Sequence, residues 1–398
     1  MNIIKQKIEL GNIPFFFRHL NSPDNDANIP NRLPFTLAYN PDLGLIIQEY
    51  NEITDNFLSK AYKLGSEISG MMEDEGIGNE YAEDFLNFIA NHLKLDSLKG
   101  KKILEIGCGT GYLLSRLSEY GAEVLGIEPG IQGQSGSEKY GVRIINDFFP
   151  SSEINDEFDV IIAYGVLEHI NNPAKFLENI NQYLKKDGVV FFAVPDSEPY
   201  LKTGDLSFLL HEHWNYFTKN SLEYVLIEEI AAQCMAVSSD FGGLIYSVYK
   251  KDANKSVFLK TDRKNMISKE DLLFKTFNDK YNSQITCIKS FFEKMNGNEK
   301  TFGIYVPGRF INVLSKLEDD INLNKIRFFD DNKSLYGTFF PSFLIRVEDR
   351  NDLIANPPDV LIIFSNTFGK KILSEIKDKI DSGIYLIEDI LNGKYCMY

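Results

Sequence analysis

A glycine-rich turn between an apolar run and a helical pattern constrains the fold of this 398-residue chain more than any other feature. The stretch 101–112 reads Lys-Lys-Ile-Leu-Glu-Ile-Gly-Cys-Gly-Thr-Gly-Tyr, and its apolar residues are typical of a buried parallel strand. Three glycines then force a tight turn: Gly107, Gly109 and Gly111. The next predicted strand, Glu123–Ile127, ends in the acid Glu128. This order predicts an α/β fold with a Rossmann-like turn that binds an adenosine ribose.

The spacing of the glycines separates two cofactors that share this layout. A dinucleotide-binding turn reads G-x-G-x-x-G, and its third glycine, counted from Gly107, would fall at Tyr112. The observed G-x-G-x-G, with an acid ahead of it, resembles the first motif of class I S-adenosylmethionine-dependent methyltransferases. A glycine-rich turn in an unrelated α/β domain is the alternative. The resemblance implies S-adenosylmethionine as cofactor, bound by residues in and beside the turn: Glu105, Gly107, Gly109, Gly111, Glu128, Asp147 and Tyr164.

Charge and cysteine usage narrow the possible partners. A net charge of −15 argues against a general nucleic-acid surface, which needs clustered cations. No run of about 18 apolar residues appears, so no membrane span is expected. The four cysteines are scattered and form no C-x-x-C pair, which favours a reducing cytoplasm. The sequence leaves the oligomeric state open.

The order of strand and helix patterns predicts three parts. Residues 1–79 form a small N-terminal domain. Residues 80–255 form a Rossmann-like, seven-stranded methyltransferase core, with buried strands at Phe158–Tyr164 and Gly188–Val194. Residues 256–398 combine a linker helix with a C-terminal Rossmann-like domain. We expect this last domain to cover the substrate, or to support the structure.

Two histidine-containing segments carry the candidate chemistry. His211-Glu212-His213 and His169 should both lie beyond the carboxyl ends of parallel strands, where ligands bind. If residues 210–214 are extended, His211 and His213 share a face and Glu212 points the opposite way. A histidine can take a proton from a methyl acceptor, and a carboxylate can orient it. A surface loop with polar residues is the alternative. His-x-His with a carboxylate can also bind a divalent ion, but no further ligand cluster is visible, so no metal is expected.

The segment 211–218, His-Glu-His-Trp-Asn-Tyr-Phe-Thr, resembles the E-H-x-x-Y-F-S/T motif of sugar C-methyltransferases that act on nucleotide-linked deoxysugars. The stretch 329–363 resembles the extra Rossmann-like domain of that family. The resemblance implies His213 as base and Glu212 as its helper, with His169 and Tyr62 in the pocket. The candidate catalytic residues are therefore His213, Glu212, His211 and His169.

The chain departs from that family at two places. The family's N-terminal domain holds zinc through cysteines, whereas this chain has no cysteine before Cys108. We therefore expect an N-terminal domain without zinc. The family also tends to carry a tyrosine directly before His-Glu-His, where this chain has Leu210. A leucine cannot donate a proton to the enolate that forms during carbon methylation, so we favour oxygen methylation slightly.

Together these features predict a cytoplasmic enzyme that moves a methyl group from S-adenosylmethionine to a sugar. A nucleotide-activated sugar and a hydroxyl oxygen are the favoured acceptor and atom. The alternatives are carbon methylation of a nucleotide-linked keto-deoxysugar, an NAD-dependent sugar oxidoreductase, and a scaffold without catalytic activity.

Overall fold

The structure is a computed structural model that describes residues 6–16, 19–22, 29–64, 72–230, 233–250, 260–295, 299–340, 342–365 and 368–398. Its contacts divide the chain into two compact units. Unit 1 consists of Met1–Ile8, Thr36–Glu198 and Glu212–Leu272; unit 2 consists of Glu9–Phe35, Pro199–His211 and Leu273–Tyr398. The predicted three-part division stays a prediction, and its boundary at residue 255 lies outside the described residues.

The strands follow one another in this order: β1 (Lys7–Pro14), β2 (Arg32–Asn40), β3 (Leu45–Gln48), β4 (Lys102–Ile106), β5 (Glu123–Ile127), β6 (Ile144–Ile145), β7 (Phe158–Tyr164), β8 (Leu184–Pro195), β9 (Asn215–Tyr216), β10 (Gln233–Ser238), β11 (Leu244–Lys250), β12 (Phe302–Tyr305), β13 (Ile326–Phe329), β14 (Val347–Glu348), β15 (Val360–Ile363) and β16 (Gly383–Leu386).

The α-helices are α1 (Glu52–Leu64), α2 (Gly76–His92), α3 (Tyr112–Ser118), α4 (Gln132–Tyr140), α5 (Pro173–Tyr183), α6 (Glu198–Thr203), α7 (Lys219–Ile230), α8 (Lys260–Lys294), α9 (Ile311–Leu314), α10 (Arg350–Ala355), α11 (Gly369–Ile376) and α12 (Ile387–Leu391). Short 3₁₀ helices lie at Leu95–Leu98, Leu167–His169, Leu206–Phe208, Pro307–Arg309, Leu323–Lys325 and Lys333–Leu335. Among the residues that the structure describes, no helix combines the length and apolarity needed to cross a bilayer.

The main sheet of unit 1 has seven strands in the order β10-β11-β8-β7-β4-β5-β6. The pairs β4–β5, β4–β7, β5–β6 and β7–β8 are parallel, whereas β11 runs antiparallel to both of its neighbours. The predicted seven-stranded methyltransferase sheet is confirmed. The strand order reverses at β4, so the turn that follows Ile106 lies at the point where such sheets bind ligands.

Burial on both faces explains the uninterrupted apolar runs of the central strands. Ile161 and Ile162 point to opposite faces of β7 and are both fully buried. Ile161 belongs to the apolar core on one face, with Leu104, and Ile162 to the core on the other face, with Ile103. Burying each such side chain contributes about 1.5–3 kcal/mol. This packing fixes the strand end from which the glycine turn leaves.

Unit 2 contains a parallel five-stranded sheet in the order β14-β13-β12-β15-β16. Its first strand, β12, lies in the middle and pairs with both β13 and β15. This is the doubly wound arrangement that the C-terminal patterns predict.

A third sheet has the order β1-β2-β3-β9. Within unit 1, β3 pairs antiparallel with β9, so that Ile46 lies opposite Tyr216 and fixes the chain that follows His213. A turn at 40–45 connects β2 to β3. The side-chain oxygen of Asn40 closes it by accepting hydrogen bonds from the amides of Asp42 (3.1 Å) and Leu43 (3.4 Å).

Candidate active site

The glycine turn after β4 adopts backbone angles that favour glycine at all three positions. The φ angles of Gly107, Gly109 and Gly111 are 67°, 53° and 77°, in the left-handed region. A Cβ atom on Gly107 would lie 2.5 Å from Cγ2 of Val166, and one on Gly111 would lie 2.7 Å from Cγ2 of Val142. Glycine is therefore required at these two positions by both backbone conformation and packing.

Glu128, at the end of β5, connects the turn to the neighbouring strand. Its carboxylate accepts hydrogen bonds from the amides of Gly109 (3.0 Å) and Gly130 (2.8 Å) and from Nε2 of Gln132 (3.0 Å). Burial raises the pKa of Glu128, and the two backbone amides oppose that rise. These bonds hold the carboxylate at the mouth of the turn, and Oε2, which accepts only one of them, keeps acceptor capacity for a ligand.

A cavity of about 210 Å³ opens beside the turn. Six of the predicted cofactor-binding residues line it: Glu105, Gly107, Gly109, Glu128, Asp147 and Tyr164. Gly111, the seventh, lies outside the lining and begins α3 as its N-cap. Burial raises the pKa of Glu105 well above its usual range, helped by the nearby Glu128. The cavity also contains Tyr62 and His169 in its wall, so it joins the glycine turn to acid–base side chains.

His169 is oriented by a hydrogen bond to the backbone. Its Nδ1 lies 2.9 Å from the carbonyl oxygen of Glu212 and 3.2 Å from the hydroxyl of Tyr62. A carbonyl oxygen only accepts, so Nδ1 carries the hydrogen and Nε2 of the neutral ring does not. Burial lowers the pKa of His169 to about 4, which keeps the ring neutral at physiological pH.

Glu168 and His213 lie next to this imidazole. Oε1 of Glu168 is 3.8 Å from Nε2 of His169, and the ring centroids of His169 and His213 are 4.9 Å apart. One ligand-type atom from each of the three side chains lies within 4.8 Å of the other two. Burial raises the pKa of Glu168 to about 8. We refer to Glu168, His169 and His213 as the histidine cluster.

Residues 76–228 match a family model described as a methyltransferase domain. The chain therefore contains a class I S-adenosylmethionine-dependent methyltransferase domain. The match covers the glycine turn, Glu128 and the histidine cluster. The prediction of S-adenosylmethionine rather than NAD as the cofactor is confirmed for this domain.

Relatives of known function resemble part of the chain. A tRNA U34 carboxymethyltransferase of Hydrogenovibrio crunogenus is 29% identical over 208 residues, which is 44% of this chain and 62% of that protein. A ubiquinone biosynthesis O-methyltransferase of Actinobacillus pleuropneumoniae serotype 7 is 35% identical over 112 residues, 25% of this chain and 48% of that protein. The chain thus spans less than two thirds of these curated relatives.

Solved structures also match part of the chain. A magnesium protoporphyrin IX methyltransferase from Synechocystis PCC 6803, crystallised with bound S-adenosylmethionine, has a TM-score of 0.34 and 13% identity. That match covers 44% of this chain and 82% of the solved chain.

Residues 210–214 do not have the extended conformation under which His211 and His213 would share a face. His211 and Glu212 form a turn, so His211 and His213 do not share a strand face. His211 belongs to unit 2, where its Nε2 lies 3.1 Å from the carbonyl oxygen of Leu33 and burial lowers its pKa to about 4. The methyltransferase domain instead brings His213 together with His169. The backbone carbonyl of Glu212 contacts His169, and the role of its carboxylate as helper of His213 stays a prediction.

Sequence reasoning missed two features of the cavity and of the glycine turn beside it. Phe148 and Phe149 line it directly after Asp147, whose Oδ1 accepts a hydrogen bond from the amide of Phe148 (2.8 Å). Gly136 of α4 approaches the turn so closely that a Cβ atom would lie 2.1 Å from the carbonyl oxygen of Thr110. Two sequence signals could have indicated them. One is the aromatic pair directly after Asp147, and the other is the glycine at position 136 within α4.

Proposed function

We propose that this chain transfers the methyl group of S-adenosylmethionine to a hydroxyl oxygen of a sugar, with a nucleotide-activated sugar as the favoured acceptor. One observation carries the proposal. The same cavity is lined by Glu128 at the glycine turn and by His169 and Tyr62. A donor held at the turn would therefore present its methyl group towards acid–base side chains.

The donor is proposed to bind with its ribose hydroxyls on Glu128 and its adenine beside Asp147 and Phe148. Phe148 is 48% exposed, and its ring is available to stack on a planar base. Glu105 has a buried oxygen, Oε2, with no hydrogen-bond partner among the described residues. The amino group of the donor is a suitable partner for it.

The reaction itself asks for alignment and for removal of one proton. The acceptor oxygen attacks the methyl carbon, the carbon–sulfur bond breaks, and the sulfonium becomes a neutral thioether. A sulfonium is already a strong methyl donor, so collinear approach supplies much of the rate. His213 remains the predicted acceptor of the hydroxyl proton, and its position beside His169 supports a role in proton handling.

Two features support a sugar as the acceptor. The segment 211–218 resembles the motif of enzymes that methylate nucleotide-linked sugars, and unit 2 has the doubly wound sheet expected of that family's additional domain. The net charge of −15 opposes binding of RNA, the substrate that the name of one relative gives. A role of unit 2 in binding the nucleotide, and a cytoplasmic location, remain predictions.

Carbon methylation of a keto sugar is the second candidate, and Tyr62 favours it. Tyr62 lines the cavity, and burial raises the pKa of its hydroxyl well above the usual range, so it stays a proton donor. Such a donor can stabilise a developing enolate. Tyr62 could therefore replace the tyrosine that this chain lacks at Leu210.

Incubation of the purified chain with methyl-labelled S-adenosylmethionine and a panel of nucleotide sugars tests the proposal. We expect label in a sugar methyl ether, identified by NMR. A second incubation, with a keto sugar in D₂O and no methyl donor, tests the alternative. Deuterium beside the ketone, followed by a carbon-bound methyl group once donor is added, would overturn oxygen methylation. Absence of label in every sugar would overturn the sugar assignment.

A further inference from the structure

The histidine cluster has the composition of a metal-binding site. It offers two imidazoles and one carboxylate, with one ligand-type atom of each within 4.8 Å of the others. Two histidines and a carboxylate form a common donor set for divalent transition ions. The set was not visible in the sequence, because His213 is far along the chain from Glu168 and His169. We propose that Glu168, His169 and His213 bind one divalent transition-metal cation beside the methyl-donor cavity.

The orientation of His169 suits a ligand. Its Nδ1 donates a hydrogen bond to the carbonyl oxygen of Glu212 at 2.9 Å. Histidines that bind metals almost always use their other ring nitrogen in this way, since the bond fixes both the tautomer and the ring plane. Nε2 is left with its lone pair and lies 3.8 Å from Oε1 of Glu168. The ring is thus set to coordinate an ion through Nε2.

Glu168 is a buried carboxyl group with little compensation from its surroundings. It is 3% exposed, and its Oε2 has no hydrogen-bond partner among the described residues. The ion pairs within the described part of the chain bring no lysine or arginine to it. Burying a carboxylate without a counter-ion is costly. A bound cation would favour and stabilise the ionised form of this carboxyl group.

The distances are close to those of an occupied site. Bonds of about 2.0–2.2 Å to one ion place its ligand atoms about 3–4 Å apart. The 3.8 Å between Glu168 and His169 falls in this range. The limit of 4.8 Å for the whole cluster leaves less than about 2 Å to close. His213 is only half-buried, so its side chain has room to make that adjustment. A donor set of two nitrogens and one oxygen favours ions such as Mn²⁺ or Zn²⁺ over Ca²⁺.

The site would leave coordination positions for a substrate oxygen, since it has three protein ligands. A hydroxyl bound there would have a lowered pKa and could be methylated as its conjugate base. This consequence rests on the proposed methyl transfer, whereas cation binding itself does not. In this arrangement His213 serves as a ligand instead of as the acceptor of the hydroxyl proton, and the proposal departs from the expectation of a metal-free site.

Titration of the full-length, chelator-treated chain with MnCl₂ tests the proposal without donor or acceptor. Electron paramagnetic resonance reports the free Mn²⁺ directly. We expect one ion per chain and a loss of affinity on the order of 100-fold in both Glu168→Gln and His213→Gln. The matched controls Glu270→Gln and His92→Gln replace a buried carboxyl and a histidine outside the cluster, and should bind as the wild type does.

The half-buried His213→Gln variant keeps the test decisive if Glu168→Gln does not fold, as judged by circular dichroism. No stoichiometric Mn²⁺ binding, or binding unchanged in His213→Gln, would overturn the site. Binding of S-adenosylmethionine to the same proteins is measured by calorimetry as a second, independent readout. If cation binding fails while donor binding persists, the cation site is wrong and the proposed function stands. If the cation binds but S-adenosylmethionine does not, the proposed function is wrong and the cation site stands.

Discussion

At the end of β4 in unit 1 and of β12 in unit 2, the chain turns through the same backbone hydrogen bond and the same backbone conformation. The side chains at the two turns differ. In unit 1, the amide of Gly107 donates to the carbonyl of Ile127 at 2.8 Å; in unit 2, the amide of Val306 donates to that of Phe329 at 3.0 Å. Gly107 and Val306 both adopt the left-handed backbone conformation, with φ angles of 67° and 64°. A valine in this conformation costs about 1–3 kcal/mol. The bare turn in unit 1 instead leaves room for a ligand.

The acids that follow β5 in unit 1 and β13 in unit 2 also differ in their hydrogen bonds. Glu128 accepts a hydrogen bond from Gly109 in the first turn of its sheet, so it is tied to that turn. Asp330 accepts one from the amide of Asn332, two residues further along its own loop. We therefore expect the methyl donor to bind at the turn of unit 1, where the glycine turn and the acid are coupled, and not at the turn of unit 2.

The largest expected effect is on turnover, in His213→Ala. Loss of a base, or of a ligand that activates the acceptor, should lower kcat about 10²–10⁴-fold. Affinity for S-adenosylmethionine should stay within about threefold, since its proposed contacts lie in the glycine turn. Steady-state kinetics and calorimetry measure the two quantities. His92→Gln is the control histidine, and near-normal turnover in His213→Ala would move the chemistry elsewhere.

Gly109→Val should lower affinity for S-adenosylmethionine by at least about 100-fold, because a branched side chain is strained at φ 53° and occupies ligand space. The matched change in unit 2 is Gly308→Val. A Cβ atom there meets Phe340 at an ordinary 3.5 Å, and donor binding should not change. Calorimetry on folded protein distinguishes the two. Equal losses in both variants would contradict the difference between the turns.

Glu128→Ala should weaken donor binding by about 1–3 kcal/mol, the value of charge-assisted hydrogen bonds to the ribose. Asp330→Asn is the counterpart in unit 2 and should leave donor affinity as it is. The measurement is again calorimetry, at a pH where Glu128 is ionised. An unchanged affinity in Glu128→Ala would remove the acid from the site.

The buried acid Glu270 of unit 1 should make the free energy of unfolding depend on pH. Burial raises the pKa of Glu270 to about 7 from its ordinary 4.5, while its Oε1 accepts a 2.6 Å hydrogen bond from the Thr218 hydroxyl. Between these pH values the folded chain keeps a proton that the unfolded chain loses, so stability falls as pH rises. In Glu270→Gln, the decrease in the free energy of unfolding between low and high pH should be smaller by up to about 3 kcal/mol. Urea unfolding at pH 5 and pH 8 measures it, and an unaltered pH slope would refute the assignment.

Much of the fold could be predicted from sequence because its signals are local. The apolar run Phe158–Tyr164 and the spacing of the three glycines each identify their element without distant contacts. The position of His211 could not be predicted, since it depends on the carbonyl of Leu33, far away in sequence. The histidine cluster was predicted only in part, since His169 and His213 were expected at the same end of the sheet but the contribution of Glu168 was not. It forms only when the backbone of Glu212 folds back onto His169.

Hydrogen–deuterium exchange of the full-length chain, with and without S-adenosylmethionine, tests the central claim most directly. The claim is that the coupled turn and acid of unit 1 hold the methyl donor. We expect the donor to slow amide exchange in peptides covering 105–112 and 128–133, and to leave 302–310 and 326–332 unchanged. Slowed exchange at the first turn of unit 2, with none at residues 105–112, would contradict the account.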